Sequence, residues 1–405
     1  MMSRYPLLLV PDWKCCLRSL LCIAGAHVAP LHALAIAQQA PRAVTEEMRI
    51  VPSDVIPGMM LSRVTDLLVN DAGLIFVADA GEYIIRVFDP AGKLLRSFGR
   101  KGQGPGEWRG AFDLFGTIGD TLIVRDQNTQ DLNFFTSDGK LTRTWSARGR
   151  PLTVVAYLQG NRVMSEAAFY SRAPGKRFPG NDSTIAGVVD TTGSTVRRVI
   201  RYRGREDFVV HLPGVGPSDS GATFMLYPQP FIPQTVTPED PKGRHGFVVL
   251  PAREFSGRQG QVKLLTIGAN GNESERILQL EVRKFQPADV DAFVKERADA
   301  LMPSATRRSV PRASIEKQIR DSLVTFEYLN PAEQVIIGSD GSIWIRPFWS
   351  KTDWSVITSG NAPSFSVRVP PGARLMQVSA DMIWTVSSDS DGLPIIARFR
   401  IAARQ

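Results

Sequence analysis

The feature that most constrains the fold is a hairpin pattern that occurs twice at nearly equal spacing. Runs of alternating apolar and polar residues follow Asp79 and end at a turn containing Gly92, and the same arrangement follows Asp126 and ends at Gly139. Each pair is 13 residues apart, and the two glycines are separated by 47 residues. A repeat of about 40 to 50 residues is typical of propeller blades, whose four-stranded sheets stack radially to bury their apolar faces.

Fainter copies of the pattern bring the number of units to six. They cover residues 188–197, 247–273, 340–369 and 375–400. The sixth unit has three strands, and residues 46–52 are an unassigned strand at the other end of the chain. We predict that this N-terminal strand completes the last blade and closes the ring, because closure removes exposed sheet edges. The pattern therefore predicts an all-β, six-bladed β-propeller formed as a single domain by residues 44–405.

Two amphipathic segments interrupt the β pattern between the fourth and fifth units. Residues 286–302 carry Pro287 and acidic side chains in the first turn, and residues 314–323 begin with a serine cap; both carry apolar residues at helical spacing. We predict a two-helix insertion over residues 284–325 that packs on the propeller wall, with partner or membrane binding as the alternative. The expected apolar stripes consist of Val290, Phe293, Val294, Ala298 and Leu301 in the first helix, and Ile315, Ile319 and Leu323 in the second.

The first 37 residues have the pattern of a secretory signal peptide. An apolar run over residues 19–37 follows Lys14 and Arg18 and ends in small residues at alternate positions. We predict cleavage near Gln38, a secreted or periplasmic protein, and no membrane span after cleavage. An uncleaved anchor helix is the alternative.

Composition excludes several kinds of chemistry. The three cysteines all lie in the predicted signal, so the mature chain has no thiol nucleophile, disulfide or cysteine-bound zinc. Two histidines remain, His211 and His245, which excludes a three-histidine zinc site. The net charge is +8, and its densest basic stretch, residues 197–205, has the pattern of a solvated strand and turn. We predict a monomer that binds no nucleic acid.

One segment has partial features of a calcium loop. Residues 388–392 read Ser-Asp-Ser-Asp-Gly, but no bidentate acid follows at the required spacing, so a glycine-tipped turn is favoured. We predict no cofactor, and calcium stays open as an alternative.

A family resemblance rests on residues 99–108, Gly-Arg-Lys-Gly-Gln-Gly-Pro-Gly-Glu-Trp, followed by the hairpin that ends at Arg125-Asp126. This stretch resembles the NHL-type repeat of secreted bacterial six-bladed β-propeller proteins. The resemblance is specific over residues 64–145. It implies the six-bladed fold, and helical insertions occur in proteins of that kind.

Topology predicts where a ligand could bind. In a meander blade the turn between the second and third strands and the crossing to the next blade emerge at the same mouth of the central channel. Aromatic and charged residues at such a mouth are typical of ligand sites. The alternative is that Trp108 packs between blades and that the acids accept hydrogen bonds from turn amides. The predicted ligand-binding residues are Asp79, Glu82, Tyr83, Trp108, Arg109, Asp126, Gln130, Arg346 and Trp349.

Three functions are compatible with these patterns. We favour a non-catalytic propeller that binds a ligand or protein partner at one mouth of its channel, without catalytic or metal-binding residues. A divalent-metal-dependent hydrolase or lyase on the same scaffold is the alternative, and a structural scaffold in an envelope complex is a third hypothesis. A proline-rich stretch, residues 228–241, is expected to form an irregular loop that caps one mouth.

Overall fold

The strands form a six-bladed β-propeller. The structure, a computed structural model, describes residues 40–146, 153–170, 181–190, 195–202, 207–213, 223–252, 254–256, 258–358 and 365–403. The predicted signal peptide lies outside the described residues. The described residues contain no helix that is long and apolar enough to cross a membrane.

Four blades are regular antiparallel meanders whose first strand is innermost. Blade 1 consists of β2 (Val64–Val69), β3 (Ile75–Asp79), β4 (Ile84–Phe88) and β5 (Leu94–Phe98). Blade 2 consists of β6 (Phe112–Ile118), β7 (Thr121–Asp126), β8 (Leu132–Thr136) and β9 (Leu141–Trp145). Blade 3 consists of β10 (Thr153–Leu158), β11 (Arg162–Tyr170), β12 (Asn181–Asp190) and β13 (Thr195–Tyr202). Blade 5 consists of β20 (Gln334–Ile337), β21 (Ile343–Arg346), β22 (Asp353–Ile357) and β23 (Phe365–Arg368).

Blade 6 joins the two ends of the chain. Its first three strands are β24 (Arg374–Val378), β25 (Met382–Ser388) and β26 (Pro394–Ile401), and the fourth is β1 (Val44–Ile50). The antiparallel register runs from Val44 opposite Ile401 to Ile50 opposite Ile396. Ile50 is 2% exposed and packs in a cluster that includes residues of blades 1 and 6.

Blade 4 departs from the regular meander. Its long strands are β16 (Gly246–Leu250), β18 (Gln259–Ile267) and β19 (Glu273–Glu281). The two-residue β17 (Phe255–Ser256) pairs with the start of β18, on the same side of β18 as β16. On the other side of β16 the chain at Val236 runs antiparallel to Val249, with backbone hydrogen bonds of 3.0 and 2.8 Å. The segment around Val236 therefore occupies the inner position of blade 4.

Residues 239–245, which we call the plug, form the turn from this inner segment to β16 and cross one mouth of the channel. The amide of Thr117 in blade 2 donates to Pro241 O at 2.8 Å, and the amide of Gln159 in blade 3 donates to Gly243 O at 3.0 Å. Arg244 donates to the carbonyls of Gly338 and Ser339 in blade 5, both at 3.1 Å. The proline-rich stretch therefore caps the mouth at which the turns after the inner strands lie.

A β-bulge recurs in the innermost strand. The register between the first and second strands shifts by one residue in blades 1, 2, 3 and 6, which leaves Thr65, Phe115, Val155 and Met376 unpaired. Bulges bend and twist a strand and re-aim the extra side chain. Phe115 and Met376 consequently line the central cavity described below.

The helices are α1 (Pro287–Thr306) and α2 (Arg312–Ser322), which follow β19 and precede β20 in the chain. A hairpin of β14 (Asp207–Leu212) and β15 (Thr223–Pro228), outside the six blades, covers their apolar stripes. Phe208, Val210 and Leu212 pack there with all of the apolar residues expected from the helical spacing. The sequence pattern did not identify this hairpin. The apolar stripes of the helices were expected to pack on the propeller wall, but in the structure they pack on the hairpin.

Replacement of Ile50 by alanine tests the contribution of β1 to the ring. We expect Ile50→Ala to lower the free energy of unfolding by about 2–5 kcal/mol, because the residue is buried against the first and last blades. The neighbouring Val51 is 46% exposed, so Val51→Ala should change stability by less than about 0.5 kcal/mol. Urea unfolding of both variants measures the difference; equal effects would contradict a closing role for β1.

Candidate functional site

Asp79 is buried at 0% exposure and stabilises the entry to blade 1. Its carboxylate accepts hydrogen bonds from Ser62 N at 2.9 Å, Arg63 N at 3.0 Å and Gly81 N at 3.1 Å. It also pairs at 2.6 Å with Arg86, whose side chain is 1% exposed. Burial disfavours the charge, but the hydrogen bonds from Ser62 and Arg63 and the charge of Arg86 hold the pKa of Asp79 below its usual value.

Trp108 and Asp126 also have structural surroundings. The Trp108 ring is 0% exposed and stacks on Phe112 with ring centroids 4.6 Å apart. Asp126 Oδ1 accepts from the amides of Asn128 and Thr129 at 2.8 and 3.0 Å. These contacts agree with the alternative interpretation, in which the tryptophan packs between blades and the acid accepts hydrogen bonds from turn amides.

The remaining predicted residues do not converge on one cavity. Gln130 accepts from Val154 N at 3.2 Å and so joins blades 2 and 3. Glu82 is half exposed and 3.4 Å from Arg86, while Lys101 lies 5.3 Å above the Tyr83 ring. Arg346 pairs with Glu333 at 2.9 Å. Arg109 is exposed and Trp349 is half-buried. None of the nine predicted residues lines the central cavity.

The central cavity has a volume of about 210 Å³ and lies inside the channel, bounded at one end by Pro241 of the plug. Inner strands of blades 1, 2, 5 and 6 form its wall. Its surface is mixed, since apolar side chains surround a few polar groups. The lining residues are Asp66, Leu68, Leu114, Phe115, Glu239, Pro241, Val335, Ile336, Ile337, Met376 and Gln377.

Three carboxylates and one guanidinium set the electrostatics of the cavity. Asp66 accepts from Leu67 N at 2.8 Å and, across the blade boundary, from Leu114 N at 2.9 Å. Asp113 accepts from Arg125 Nε at 3.1 Å and from its Nη2 at 2.5 Å. Arg125 also lies 3.4 Å from Glu239 and 4.6 Å above the Phe115 ring. Glu239 of the plug therefore contacts blade 2.

Two of these acids hold protons unusually strongly. Burial raises the pKa of Asp66 to about 7; the charge of Asp113 adds to the shift, whereas the amides of Leu67 and Leu114 oppose it. Burial raises the pKa of Glu239 to about 8, with Asp66 and Asp113 adding to the shift and Arg125 opposing it. The Glu239 side chain is 36% exposed, so it is accessible to solvent. Both groups can therefore exchange protons near neutral pH.

The repeat contains a signal for part of this site that the sequence analysis did not use. Asp66 and Asp113 are 47 residues apart, the spacing already seen for Gly92 and Gly139. An acid at equivalent positions of two innermost strands indicates charge in the channel. Glu239 has no such signal, because it follows an irregular segment whose position only the fold defines.

The segment with partial features of a calcium loop forms the turn between β25 and β26. Asp389 Oδ1 accepts there from Asp391 N at 2.9 Å and Leu393 N at 2.8 Å. Across the described ranges, no group of three or more histidine, cysteine, aspartate or glutamate side chains is arranged to hold a metal ion.

No protein family matches the chain in sequence, and no curated protein is similar enough in sequence to show a relationship. Among solved structures, the chain is similar to a predicted exported protein from Bacteroides fragilis, with 10% identity, a TM-score of 0.48, and coverage of 90% of this chain and 98% of that chain. It is similar to a member of the DUF4221 family from Bacteroides vulgatus, with 8% identity, a TM-score of 0.46, and coverage of 90% and 99%. A catalytically inactive virginiamycin B lyase from Staphylococcus aureus has 10% identity, a TM-score of 0.37, and coverage of 89% and 99%.

Replacement of Asp79 distinguishes a structural from a ligand-binding role. We expect Asp79→Ala to lower the free energy of unfolding by about 3–5 kcal/mol, because it leaves Arg86 buried without its carboxylate. Asp389→Ala removes only turn hydrogen bonds and should cost about 1 kcal/mol. Chemical denaturation of both variants checks this order, and a reversed order would contradict the role assigned to Asp79.

The raised pKa values predict how stability depends on pH. Between the unfolded values near pH 4 and the folded values of about 7 for Asp66 and about 8 for Glu239, the folded protein binds more protons than the unfolded chain. Their contribution to stability is therefore complete below about pH 4 and is lost as the pH rises through about 7 to 8. We expect the double variant Asp66→Asn, Glu239→Gln to lose less stability than the wild type between pH 5 and pH 8.

Melting temperatures of the two proteins at both pH values measure the effect. The difference between proteins is the informative quantity, because the other carboxylates titrate in both. A difference that is the same at pH 5 and pH 8 would show that the two acids titrate normally.

Proposed function

We propose that the protein is an exported six-bladed propeller that binds a small organic cation in its central channel without chemical conversion. The proposal rests on one observation: Asp66 and Glu239 line a cavity of about 210 Å³, and the ion pair of Asp113 with Arg125 lies next to Glu239. The apolar run over residues 19–37 supports export.

The partners of the carboxylates favour a positively charged ligand. Arg125 is already paired with Asp113 at 2.5 Å, and Gln127 also donates to Asp113. Among the described residues, Asp66 and Glu239 have no cation as close as this one, since Arg125 lies 3.4 Å from Glu239 and Arg374 acts on Asp66 only through its charge. A protonated amine would supply that charge, since an opposite charge nearby stabilises the ionised carboxylate. Binding would then release protons from Asp66 and Glu239 into solution.

The rest of the wall favours an amine with a short apolar chain. Leu68, Ile336 and Met376 present aliphatic surface to the cavity, and Phe115 adds an aromatic ring. Apolar walls with a few oriented polar groups are typical of small-molecule sites. We therefore assign the amine to the carboxylates and the chain to this apolar surface.

A titration with n-butylamine tests the proposal, with n-butanol and butyrate as uncharged and anionic controls. We expect Asp66→Asn and Glu239→Gln each to weaken n-butylamine binding about tenfold or more, because each removes a partly desolvated charge pair. Glu82→Gln is the matched control, since Glu82 is a half-exposed acid outside the cavity. Affinity should rise between about pH 6 and 8, where Asp66 and Glu239 ionise while the amine stays protonated.

Isothermal titration calorimetry gives both the affinity and the number of protons released. Equal binding of n-butanol, or loss of affinity in Glu82→Gln instead of the channel variants, would refute the channel assignment. The latter result would favour the mouth predicted from the sequence.

A hydrolase is the second candidate, and the observation in its favour is the same pair of acids. A carboxyl group that retains its proton near neutral pH can act as a general acid. Turnover of ester or glycoside substrates that is abolished in Glu239→Gln would establish catalysis in place of simple binding.

A further inference from the structure

A second cavity, of about 280 Å³, lies at the plugged mouth of the channel. The turn after β2, the plug, the turn after β20 and the start of β25 surround it. Gln377 lines both this cavity and the central one, so its side chain lies between them. The residues that matter for binding are Asn70, Asp71, Lys242, Asp340, Met382 and Trp384.

Lys242 supplies a positive charge with a weakly held partner. Its Nζ lies 2.6 Å from Asp71 Oδ1, but the Lys242 side chain is 15% exposed and the Asp71 side chain is 74% exposed. Ion pairs with such an exposed acid contribute little to stability, so an incoming anion can replace Asp71 at little cost. Of the three ammonium hydrogens, the contacts among the described residues use one.

Asn70 adds a second donor. Its Oδ1 accepts from Ala72 N at 3.1 Å and Leu74 N at 2.9 Å, which fixes the orientation of the amide. The Nδ2 group makes no hydrogen bond within the described part of the chain, although the residue is only 7% exposed. Two donors, one of them charged, therefore border the same cavity.

The other acid at this cavity does not compete for these donors. Asp340 Oδ1 accepts from Ser342 N at 3.0 Å and Ser342 Oγ at 2.6 Å, and Oδ2 accepts from Ala380 N at 2.8 Å. These bonds use the carboxylate to join the turns of blades 5 and 6. The remaining wall includes Met382 and the ring of Trp384, which provide apolar contact.

We propose that this second cavity binds a small aromatic carboxylate. The carboxylate accepts hydrogen bonds from Lys242 Nζ and Asn70 Nδ2, Asp71 turns to the solvent, and the aromatic body packs against Trp384 and Met382. This site is separate from the proposed amine site in the channel.

Phenylacetate is the probe, with phenethylamine and 2-phenylethanol as cationic and neutral controls. Calorimetry of the full chain should show binding of phenylacetate alone. Asp71→Asn should strengthen this binding several-fold, because it removes the competing carboxylate from a surface position where folding is not at risk. Lys242→Met should weaken it tenfold or more, whereas Lys140→Met, at an exposed turn of blade 2, should leave it unchanged.

The result in Asp71→Asn decides the proposal even if Lys242→Met disturbs the plug. An unchanged or weaker affinity in Asp71→Asn would overturn it, as would equal binding of phenethylamine. Glu239→Gln should leave phenylacetate binding intact, so failure of this site and failure of the channel site give different results.

Discussion

The structure depends on hydrogen-bond partners for the backbone groups along the free edges of the innermost strands. Each inner strand pairs with its own blade on one side only, so backbone groups on its other side need partners from elsewhere. Side chains of the preceding blade supply them. Asp66 accepts from Leu114 N, Gln130 and Arg125 bind the amide and carbonyl of Val154, and Gln377 binds both backbone groups of Val69. These contacts hold successive blades in register around the channel.

The same contacts explain why a closed scaffold has a polar channel. Asp66, Arg125 and Gln377 are needed at blade boundaries, and they border or approach the space enclosed by the inner strands. In the described part of blade 4, a single bridge joins the inner segment to β16, between Val236 and Val249. The plug provides the missing support by hydrogen bonding to blades 2, 3 and 5, and it carries Glu239 into the cavity and Lys242 to the plugged mouth. The irregular blade thus contributes a charged residue to both candidate sites.

The fold class could be predicted from the sequence because the repeat is determined by local geometry. The 47-residue spacing, the turn glycines and the helical spacing of residues such as Val294 and Ile319 depend on neighbours close in the chain. The inner segment of blade 4 could not be predicted, because Pro230 and Pro233 remove amide donors and erase the alternation typical of a strand. The hairpin β14–β15 was missed for a different reason: its strands pack on helices that begin about 60 residues further along the chain.

The candidate site was harder to predict than the fold. Topology placed Asp79 and Asp126 at turns near one mouth, but it could not indicate that Arg86 and turn amides occupy their oxygens. Burial of Trp108 likewise depends on Phe112 and Phe135 of the next blade. The equivalent repeat position of Asp66 and Asp113 could be recognised in the sequence. The contact of Glu239 with Arg125 could not, because it joins distant segments and no local pattern indicates it.

The pairing of β1 with β26 has a consequence for the order in which the molecule can mature. Among the described strands, β1 is the first to be made and β26 the last, so the ribosome must make every residue between them before Val44 can meet Ile401. Contacts between such distant segments form slowly, because a long loop must close first. A newly made chain therefore keeps β1 without its partner strand until β26 has been synthesised.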